Sequence, residues 1–450
     1  MLIARHVAII GGGFSGTLLA INLLRHGSQR VTLVERRSDR LGRGLAYGAA
    51  HADHLLNVRA ANMSAFPDQP DHFAAWLKAR NMGAETSFAT RRIYGDYLCA
   101  LLEDMQRAAP GRFSVIADEA VDLTLHADGA RVTLASGRCI DADVATIAPG
   151  NLPPHRLAAF ADVDSDAYVN DPWSRDLAAG LGHQDRVMLL GTGLTAVDSI
   201  LSLVNAGFAG SILALSRRGL APHAHAPADA FTPTREKPSG HLSTLLHQVR
   251  NRALQVGWRN AIDELRPFTQ NMWRAASHAQ RERFLRHLRP YWDIHRHRIA
   301  PPVAARLEAL RVEGRLSILA AKVLDATPTD SALAVTIRRR GAGEGESVRA
   351  ARVVNCTGPL GDLRRAGDPL LRALANRGDI RADALAIGID VDQQGRALMQ
   401  DGSAQERLFV VGPMTRGAHW EIVAVPDIRR QVWTLARQIT GAHWVEAEGL

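Results

Sequence analysis

The chain is poor in cysteine, nearly devoid of lysine, and lacks any long apolar run. Its three cysteines, Cys99, Cys139 and Cys356, are odd in number and far apart, with no CxxC pair. That spacing excludes a disulfide scaffold, a cysteine-based zinc site and a dithiol redox centre. No apolar stretch approaches the length of a bilayer span, and the N-terminus runs directly into a strand pattern. A cytoplasmic protein with no membrane partner is therefore expected. Of the 54 basic residues only Lys78, Lys237 and Lys322 are lysine, and the other 51 are arginine. A net charge of +8 and a pI near 10 raise the question of nucleic acid. The arginine bias runs through the whole chain, however, and no RNA-binding or helix-turn-helix motif accompanies it. It reads as compositional drift, and no nucleic-acid partner is expected, although the charge still favours anionic ligands. The 450 residues, 46% apolar and 22% charged, are an ordinary globular composition with chain enough for two or three domains.

What is present begins with Gly11 to Gly16, GGGFSG. The apolar Val7-Ala8-Ile9-Ile10 before it predicts a buried parallel strand, and Thr17 to Leu24 after it predicts a helix closed by Gly27. Arg30 to Val34 then reads as a second strand, ending at the acidic Glu35. Strand, glycine turn, helix and acid-tipped strand together form a dinucleotide fingerprint. Gly11 permits the tight turn, Gly13 the approach of a pyrophosphate, and Gly16 close helix packing. Phe14 and Ser15 are candidate cofactor contacts, the helix N-terminus offers free N–H groups to phosphates, and Glu35 can hold ribose hydroxyls.

The long stretch after Glu35 is rich in Gly, Pro and Asn. Such length reads as a functional loop, with a plain surface excursion as the competing reading. Gly42, Gly44 and Gly48 allow close backbone approach, while Asn62 and Ser64 could add polar contacts. Arg36, Ala46, Tyr47, Asn57 and Met63 are candidate cofactor contacts. So is Arg92, at the start of the helix TRRIYGDYLCALLEDM, where Tyr94 and Tyr97 read as packing residues. Phe113 to Ile116 opens a predicted run of short alternating strands with turns at Asp128-Gly129 and Ser136-Gly137. The run ends in a buried strand, Ala142 to Ile147, and the small-residue turn Ala148-Pro149-Gly150.

The opening pattern then returns. Arg186 to Leu190 is a strand, and Gly191-Thr192-Gly193-Leu194-Thr195-Ala196 is a second fingerprint. The strand after it, Ser211 to Leu215, ends not in an acid but in Ser216-Arg217-Arg218. Hydroxyl and guanidinium groups there suit a ribose carrying a 2′-phosphate, which points to NADPH; two chance surface arginines are the alternative. Leu316 to Leu319 opens a second run of short strands, ending at Thr357-Gly358-Pro359. The order matches the first half element for element, an internal repeat of one architecture. Between the two lies Ala221 to Arg315, a Pro/His-rich loop that turns helical. His295 and His297 there resemble a metal cluster, but no second HxH or acidic partner is near, and no metal is expected.

Near the C-terminus, Leu408 to Val411 is a strand running into Gly412-Pro413, followed by a closing helix from about Pro426. Arg416, His419 and Trp420 stand together before that helix with Glu421, and are the candidate catalytic residues; the bland reading makes Trp420 core and His419 its neighbour. The segments GLAYGAAHADHLLNVRAANMSAFPDQPDHFAAWL, YVNDPW ahead of GTGLTAVD, VVNCTGP, and GPMTRGAHWEIVAVPDIRRQ resemble the FAD-NAD(P)-binding protein family. These are two-dinucleotide-binding flavoproteins, and one branch is a bacterial flavin-dependent urate hydroxylase.

The resemblance implies an α/β fold of two Rossmann-like domains, each with a small β-meander, plus a helical insert. It divides the chain into an FAD domain over 1–170 and 352–450, interrupted by an NADPH domain over 171–220 and 316–351. A helical substrate or cap insert covers 221–315. By the same resemblance the first fingerprint and Glu35 hold the ADP half of FAD. Ala148 to Gly150 and Thr357 to Pro359 are turns that contact the cofactors, and Gly412 approaches the pyrophosphate or ribityl chain. Two departures stand out: Gly412-Pro413 replaces the usual Gly-Asp, and the Baeyer–Villiger signature is absent. The implied activity is an NADPH-consuming, FAD-dependent monooxygenase. It would hydroxylate a small substrate, anionic or heteroaromatic with urate as an example, or an amine, with O2 through a flavin peroxide. An NADPH dehydrogenase or electron-transfer reductase with the same two sites is the alternative.

Overall fold

The computed structural model describes residues 4–48, 54–226 and 238–442. The chain separates into two compact units, one formed by 1–152 with 360–450 and the other by 153–359.

In the first unit the strand His6–Ile10 pairs in parallel with Arg30–Val34 on one side and with Val144–Ile147 on the other. All three are buried along almost their whole length, because a central parallel strand is covered on both faces. The helix Phe14–His26 lies over them, buried from Phe14 to Leu24, and packs against the closing helix Val425–Thr440. Trp433 is the largest fully buried side chain and sits at that junction, with the His26 ring edge-on at 5.7 Å and the Arg437 guanidinium over its face at 4.5 Å. Ala404–Val410 extends the sheet in parallel, and Arg396–Leu398 adds an antiparallel edge.

Phe113–Ile116 corrects one expectation. It is not the first strand of the meander but a parallel edge strand beside Arg30–Val34, with Val31 opposite Phe113 and Val34 opposite Ile116. The meander is a separate three-stranded antiparallel sheet of Ala120–Leu125, Ala130–Leu134 and Cys139–Ala142. Its turns fall where glycine predicts them, closed by His126 N–H to the Gly129 carbonyl and by Gly137 N–H to the Leu134 carbonyl.

The second unit repeats the plan. Arg186–Leu190 lies between Ser211–Ser216 and Arg352–Asn355, all parallel. Here the expected short strand at Leu316 is the start of one long strand, Leu316–Thr329. Its first part runs parallel to Ser211–Ser216, and beyond it the strand pairs antiparallel with Ala332–Arg339. The register shifts between Val323 and Asp325. This meander therefore continues the main sheet instead of forming its own.

Two boundaries move. Residues 153–170 and 352–359, expected in the first domain, belong to the second unit. The cause is backbone pairing: Arg352–Asn355 bonds to Arg186–Leu190 and to Tyr168–Val169. The expected helical insert over 221–315 also clusters with the second unit, as helices from Leu242–Val256 to Pro301–Val312. Part of the expected Pro/His-rich loop, 227–237, lies outside the described residues. Among the described residues no helix is long and apolar enough to cross a membrane.

A Cβ at Gly16 would stand 1.9 Å from the Gly11 carbonyl oxygen. The second fingerprint carries the buried Ala196 at the same place. Gly16→Ala should lower unfolding stability by about 1–3 kcal/mol, since a backbone oxygen cannot swing away. Ala196→Gly should cost only about 1 kcal/mol. Urea unfolding of the full chain, followed by circular dichroism, compares them; equal small effects would mean that Gly16 is not a packing requirement.

Candidate cofactor sites

Each fingerprint turn is set by one backbone contact. Gly11 has φ +105, and a Cβ there would lie 2.3 Å from the Ala148 carbonyl oxygen. Gly191 has φ +124, and a Cβ there would lie 2.3 Å from the Cys356 carbonyl oxygen. Only glycine meets both the positive φ and the approach. Around these points the hydrogen bonds repeat. Gly11 N–H donates to the Val34 carbonyl at 2.9 Å and Gly191 N–H to that of Leu215 at 2.7 Å. Ala148 N–H donates to Ile10 at 2.8 Å and Cys356 N–H to Leu190 at 2.9 Å. The Cys356 thiol is buried against the Ser199 hydroxyl at 3.4 Å, and burial pushes its pKa up to about 12, so it is a packing group.

The helices that follow, Phe14–His26 and Leu194–Asn205, start at Gly13 and Gly193, with no side chain capping either N-terminus. Their first-turn amides, which have no intrahelical acceptor, are what an anionic phosphate needs. Gly13 and Gly193 differ, however. A Cβ on Gly13 would come within 3.3 Å of the Gly44 Cα, so Gly13 also admits the loop at Gly42–Gly44. A Cβ on Gly193 would meet nothing within 4 Å, and its φ of −83 suits any residue.

The second residue of each fingerprint reaches the end of the next strand. Gly12 N–H donates to one oxygen of Glu35 at 2.8 Å, and Arg37 N–H to the other at 2.9 Å. The carboxylate is thereby fixed, with lone pairs left for ribose hydroxyls. In the equivalent place Ser216 Oγ lies 2.9 Å from Thr192 Oγ1, whose own proton goes to the Leu220 carbonyl, and Gly219 N–H donates to the same Ser216 oxygen at 3.0 Å. A neutral hydroxyl pair thus replaces a carboxylate. Of the next two arginines, Arg218 is engaged: it donates to the backbone carbonyls of His287 and Arg286 and lies over the Tyr291 ring at 5.0 Å. Arg217 is exposed and, among the described residues, has no hydrogen-bond or ion-pair partner.

The Gly412 turn meets the first helix. Gly412 has φ +85, and a Cβ there would stand 2.5 Å from Ser15 Oγ. Gln431 holds the turn, its Oε1 accepting from Gly412 N–H at 2.7 Å and its Nε2 donating to Thr415 Oγ1 at 2.9 Å. Pro413 is buried in it. Behind it, the buried Asp383 accepts from the amides of Leu385, Ile387 and Gly388. Burial raises the Asp383 carboxyl pKa against the pull of those amides. Gly417 packs on Asp383 so closely that a Cβ would lie 2.5 Å from it. Gln431, Thr415 and Asp383 were not legible as site residues; each acts through a contact distant in sequence or through buried backbone.

Of the expected catalytic group, Arg416 closes the short Pro413–Thr415 turn, His419 N–H donates to the Thr415 carbonyl at 2.9 Å, and Trp420 is buried. Arg36 pairs with Glu119 at 3.1 Å and Asp368 at 3.4 Å. Ala46 is exposed, Asn57 half-buried and Arg92 exposed. Met63 departs from its expected role: it is 2% exposed within the hydrophobic core and presents almost no surface to a ligand. Ser64 spends its hydroxyl on the Gln69 carbonyl at 2.6 Å. Ala148 is buried, while Pro149 is half-exposed and Gly150, with φ +68, faces open space. Gly358 is likewise open, and Thr357 donates to Asn355 Oδ1 at 2.7 Å. Leu194 and Thr195 form the start of the second helix. In the helical segment, the His295 ring packs on Trp258 and His223, each at 4.8 Å, and its Nδ1 bonds the Tyr291 carbonyl. Among the described residues, no group of three or more His, Cys, Asp or Glu could hold a metal.

The family model described as FAD-NAD(P)-binding matches residues 8–152. No curated protein matches the chain by sequence. Among solved structures, the chain is similar to the reduced form of an ornithine hydroxylase from Pseudomonas aeruginosa. The TM-score is 0.65 at 16% identity, covering 98% of this chain and 99% of that one. It is similar to an FAD-bound cadaverine monooxygenase from Erwinia amylovora, with TM-score 0.68, 13% identity and coverage of 98% and 95%. A thioredoxin reductase from Lactococcus lactis follows at TM-score 0.54 and 12% identity, covering 97% and 98%. At these identities the likeness is one of fold, and the fold is that of two-domain FAD- and NADPH-binding flavoproteins.

Because Gly193 faces open space, Gly193→Ala should leave thermal unfolding unchanged. It should raise the Kd for NADPH about tenfold or more, the equivalent of 1.4 kcal/mol. Titration of the full chain with NADPH tests this; an unchanged Kd would mean that no phosphate approaches that glycine.

Proposed function

We propose that the chain is an FAD-dependent, NADPH-consuming monooxygenase acting on a small molecule. The observation that carries the reading is the contrast between two otherwise equivalent strand ends. One presents a carboxylate fixed by backbone amides; the other presents a hydroxyl pair beside an arginine that has no partner among the described residues. A carboxylate accepts from the two free hydroxyls of an adenosine ribose, which fits FAD in the first unit. It would repel a 2′-phosphate, whereas Ser216 and Arg217 attract one, which fits NADPH in the second.

Bound FAD would supply hydride acceptance and oxygen activation. The protein's own part is binding and exclusion of water. The N-terminus of Phe14–His26 takes the pyrophosphate, Glu35 the ribose, and the Gly412 turn the segment that follows, with Ser15 packed beneath it. With Pro413 in place of an acid, this turn would offer the ribityl chain backbone groups and no carboxylate of its own. Arg416, His419 and Trp420 are assigned to the reaction centre, Arg416 as the anchor for an anionic substrate group.

A primary amine is the first substrate class to test, since two of the solved structures of like fold are named for ornithine and cadaverine oxidation. A urate-like heteroaromatic is the second. The three cysteines are free, one buried, one half-buried and one exposed, which disfavours a dithiol reductase.

Two experiments test the reading. Anaerobic reduction by NADPH followed by mixing with O2 should give a spectral phase between reduced and oxidised flavin, and candidate substrates should hasten its decay. Direct reoxidation, with rapid reduction of artificial acceptors, would support a reductase in its place. Arg217→Ala should raise the KM for NADPH at least tenfold, about 1.4 kcal/mol, and leave that for NADH nearly unchanged. Equal effects on both would remove the 2′-phosphate assignment.

A further inference from the structure

Only five tyrosines occur in the chain, and three of them, Tyr47, Tyr94 and Tyr97, stand in one contiguous cluster beside the first fingerprint. Phe14, the first residue of the fingerprint helix, packs edge-on against Tyr47 at 5.9 Å and lies 6.2 Å from Tyr94. From there the ring centroids run Tyr47 to Tyr94 at 4.8 Å, Tyr94 to Tyr97 at 5.6 Å, and Tyr97 to Trp76 at 5.5 Å. Trp76 is half-buried and covered by the exposed Arg80 at 4.1 Å, so the chain of rings ends at solvent. Gly95 makes the first step possible, because a Cβ there would lie 3.0 Å from the Tyr47 carbonyl oxygen.

The three phenols are not alike. Tyr94 is fully buried, and its hydroxyl has no hydrogen-bond partner among the described residues. The Tyr97 oxygen accepts from Ala65 N–H at 3.3 Å and lies 2.8 Å from His72 Nδ1. The phenolic proton has two acceptors within reach, Ser64 Oγ and, in the tautomer protonated at Nε2, His72 Nδ1, and of the two only the imidazole is a base. Ser64 stands beside the same hydroxyl, but its own proton is committed to the Gln69 carbonyl.

One-electron oxidation turns a phenol into a strong acid, and a buried cationic radical is prohibitively costly, so the proton must leave with the electron. Tyr94 has nowhere to send it; Tyr97 has a base in line. We infer that Tyr97 and His72 form a proton-coupled redox pair, and that the rings of Tyr47 and Tyr94, through which the electron tunnels without either being oxidised, connect it to the cofactor site, while Trp76 connects it to solvent. A one-electron oxidant, ruthenium(III) from solvent or a photo-excited oxidised flavin at the cofactor site, takes the electron of Tyr97 and is reduced by one electron while the phenolic proton passes to His72 Nδ1, leaving a neutral tyrosyl radical and an imidazolium. A soluble reductant such as ascorbate returns the electron through Trp76, and His72 returns the proton. Burial, reinforced by the nearby Arg25, holds the His72 pKa below its usual range, so its lone pair is available at neutral pH. The pair stands on the contacts of the first unit alone; its use, draining oxidising equivalents away from a bound flavin, rests on the function proposed above.

The test uses the full chain and a photogenerated ruthenium(III) tris-bipyridine oxidant, which needs no flavin. Flash oxidation should give a tyrosyl radical, seen by transient absorption and EPR, whose formation slows in D2O. The experiment is run in a Tyr291→Phe background, because Tyr291 is 43% exposed and would react with the oxidant directly; there Tyr97→Phe should abolish that signal. His72→Gln, which keeps a hydrogen-bond acceptor but not a base, should slow it by about a hundredfold. Tyr94→Phe should leave it unchanged, because the external oxidant enters from the Trp76 side, and circular dichroism should confirm that each variant is folded. A radical that persists in folded Tyr97→Phe, or is indifferent to both His72→Gln and D2O, would overturn the pair. If the wild type passes but blue-light excitation of its bound flavin yields no tyrosyl signal, the connection to the cofactor is overturned; a chain that retains no flavin refutes the FAD reading instead.

Discussion

Both halves of the molecule hang on a single short approach: the first glycine of each turn against a carbonyl oxygen from the strand that closes each meander. Gly11 on Ala148 and Gly191 on Cys356 are the same event in two places, each 2.3 Å from a hypothetical Cβ. The approach places the returning strand beside the opening strand, and so turns the helix N-terminus toward the carboxyl ends of the parallel strands, where open α/β sheets bind ligands. Everything that distinguishes the two units is hung on that shared frame: a carboxylate or a hydroxyl at the next strand's end, a Gly44 neighbour or open space at the third position.

The frame was largely legible because its determinants are local. GGGFSG and GTGLTA need only their own flanking strands and helices to be recognised, and Glu35 and Ser216 stand at fixed distances from them. What was not legible is what depends on distant pairing. Four apolar residues at Phe113 fit an antiparallel meander as well as a parallel edge, and only the partner, Arg30–Val34, decides between them. Residues 352–359 were assigned to the wrong unit for the same reason: the strand Arg352–Asn355 chooses its partner across more than a hundred residues.

Side-chain roles divide in the same way. Arg217 and Arg218 are neighbours with the same chemistry, yet one is unpartnered among the described residues and the other is anchored to the backbone of Arg286 and His287. Gly412 was recognisable as a turn, but its clamp, Gln431, lies a helix away and carries no local signature. Met63, expected as a cofactor contact, packs in the core, because the segment folds back on the buried aromatics of the first unit.

The long strand Leu316–Thr329 sets the two meanders apart in another respect. In the second unit the outer antiparallel strands share one continuous backbone ladder with the parallel core, so their amides should exchange with solvent only when that core opens. In the first unit the meander is a sheet of its own, joined to the parallel sheet through side chains and connecting turns instead of a shared ladder. It is free to fray as a separate cooperative segment. Two copies of one architecture thus differ in how far a local opening spreads, and the one built on an unbroken strand is the less divisible.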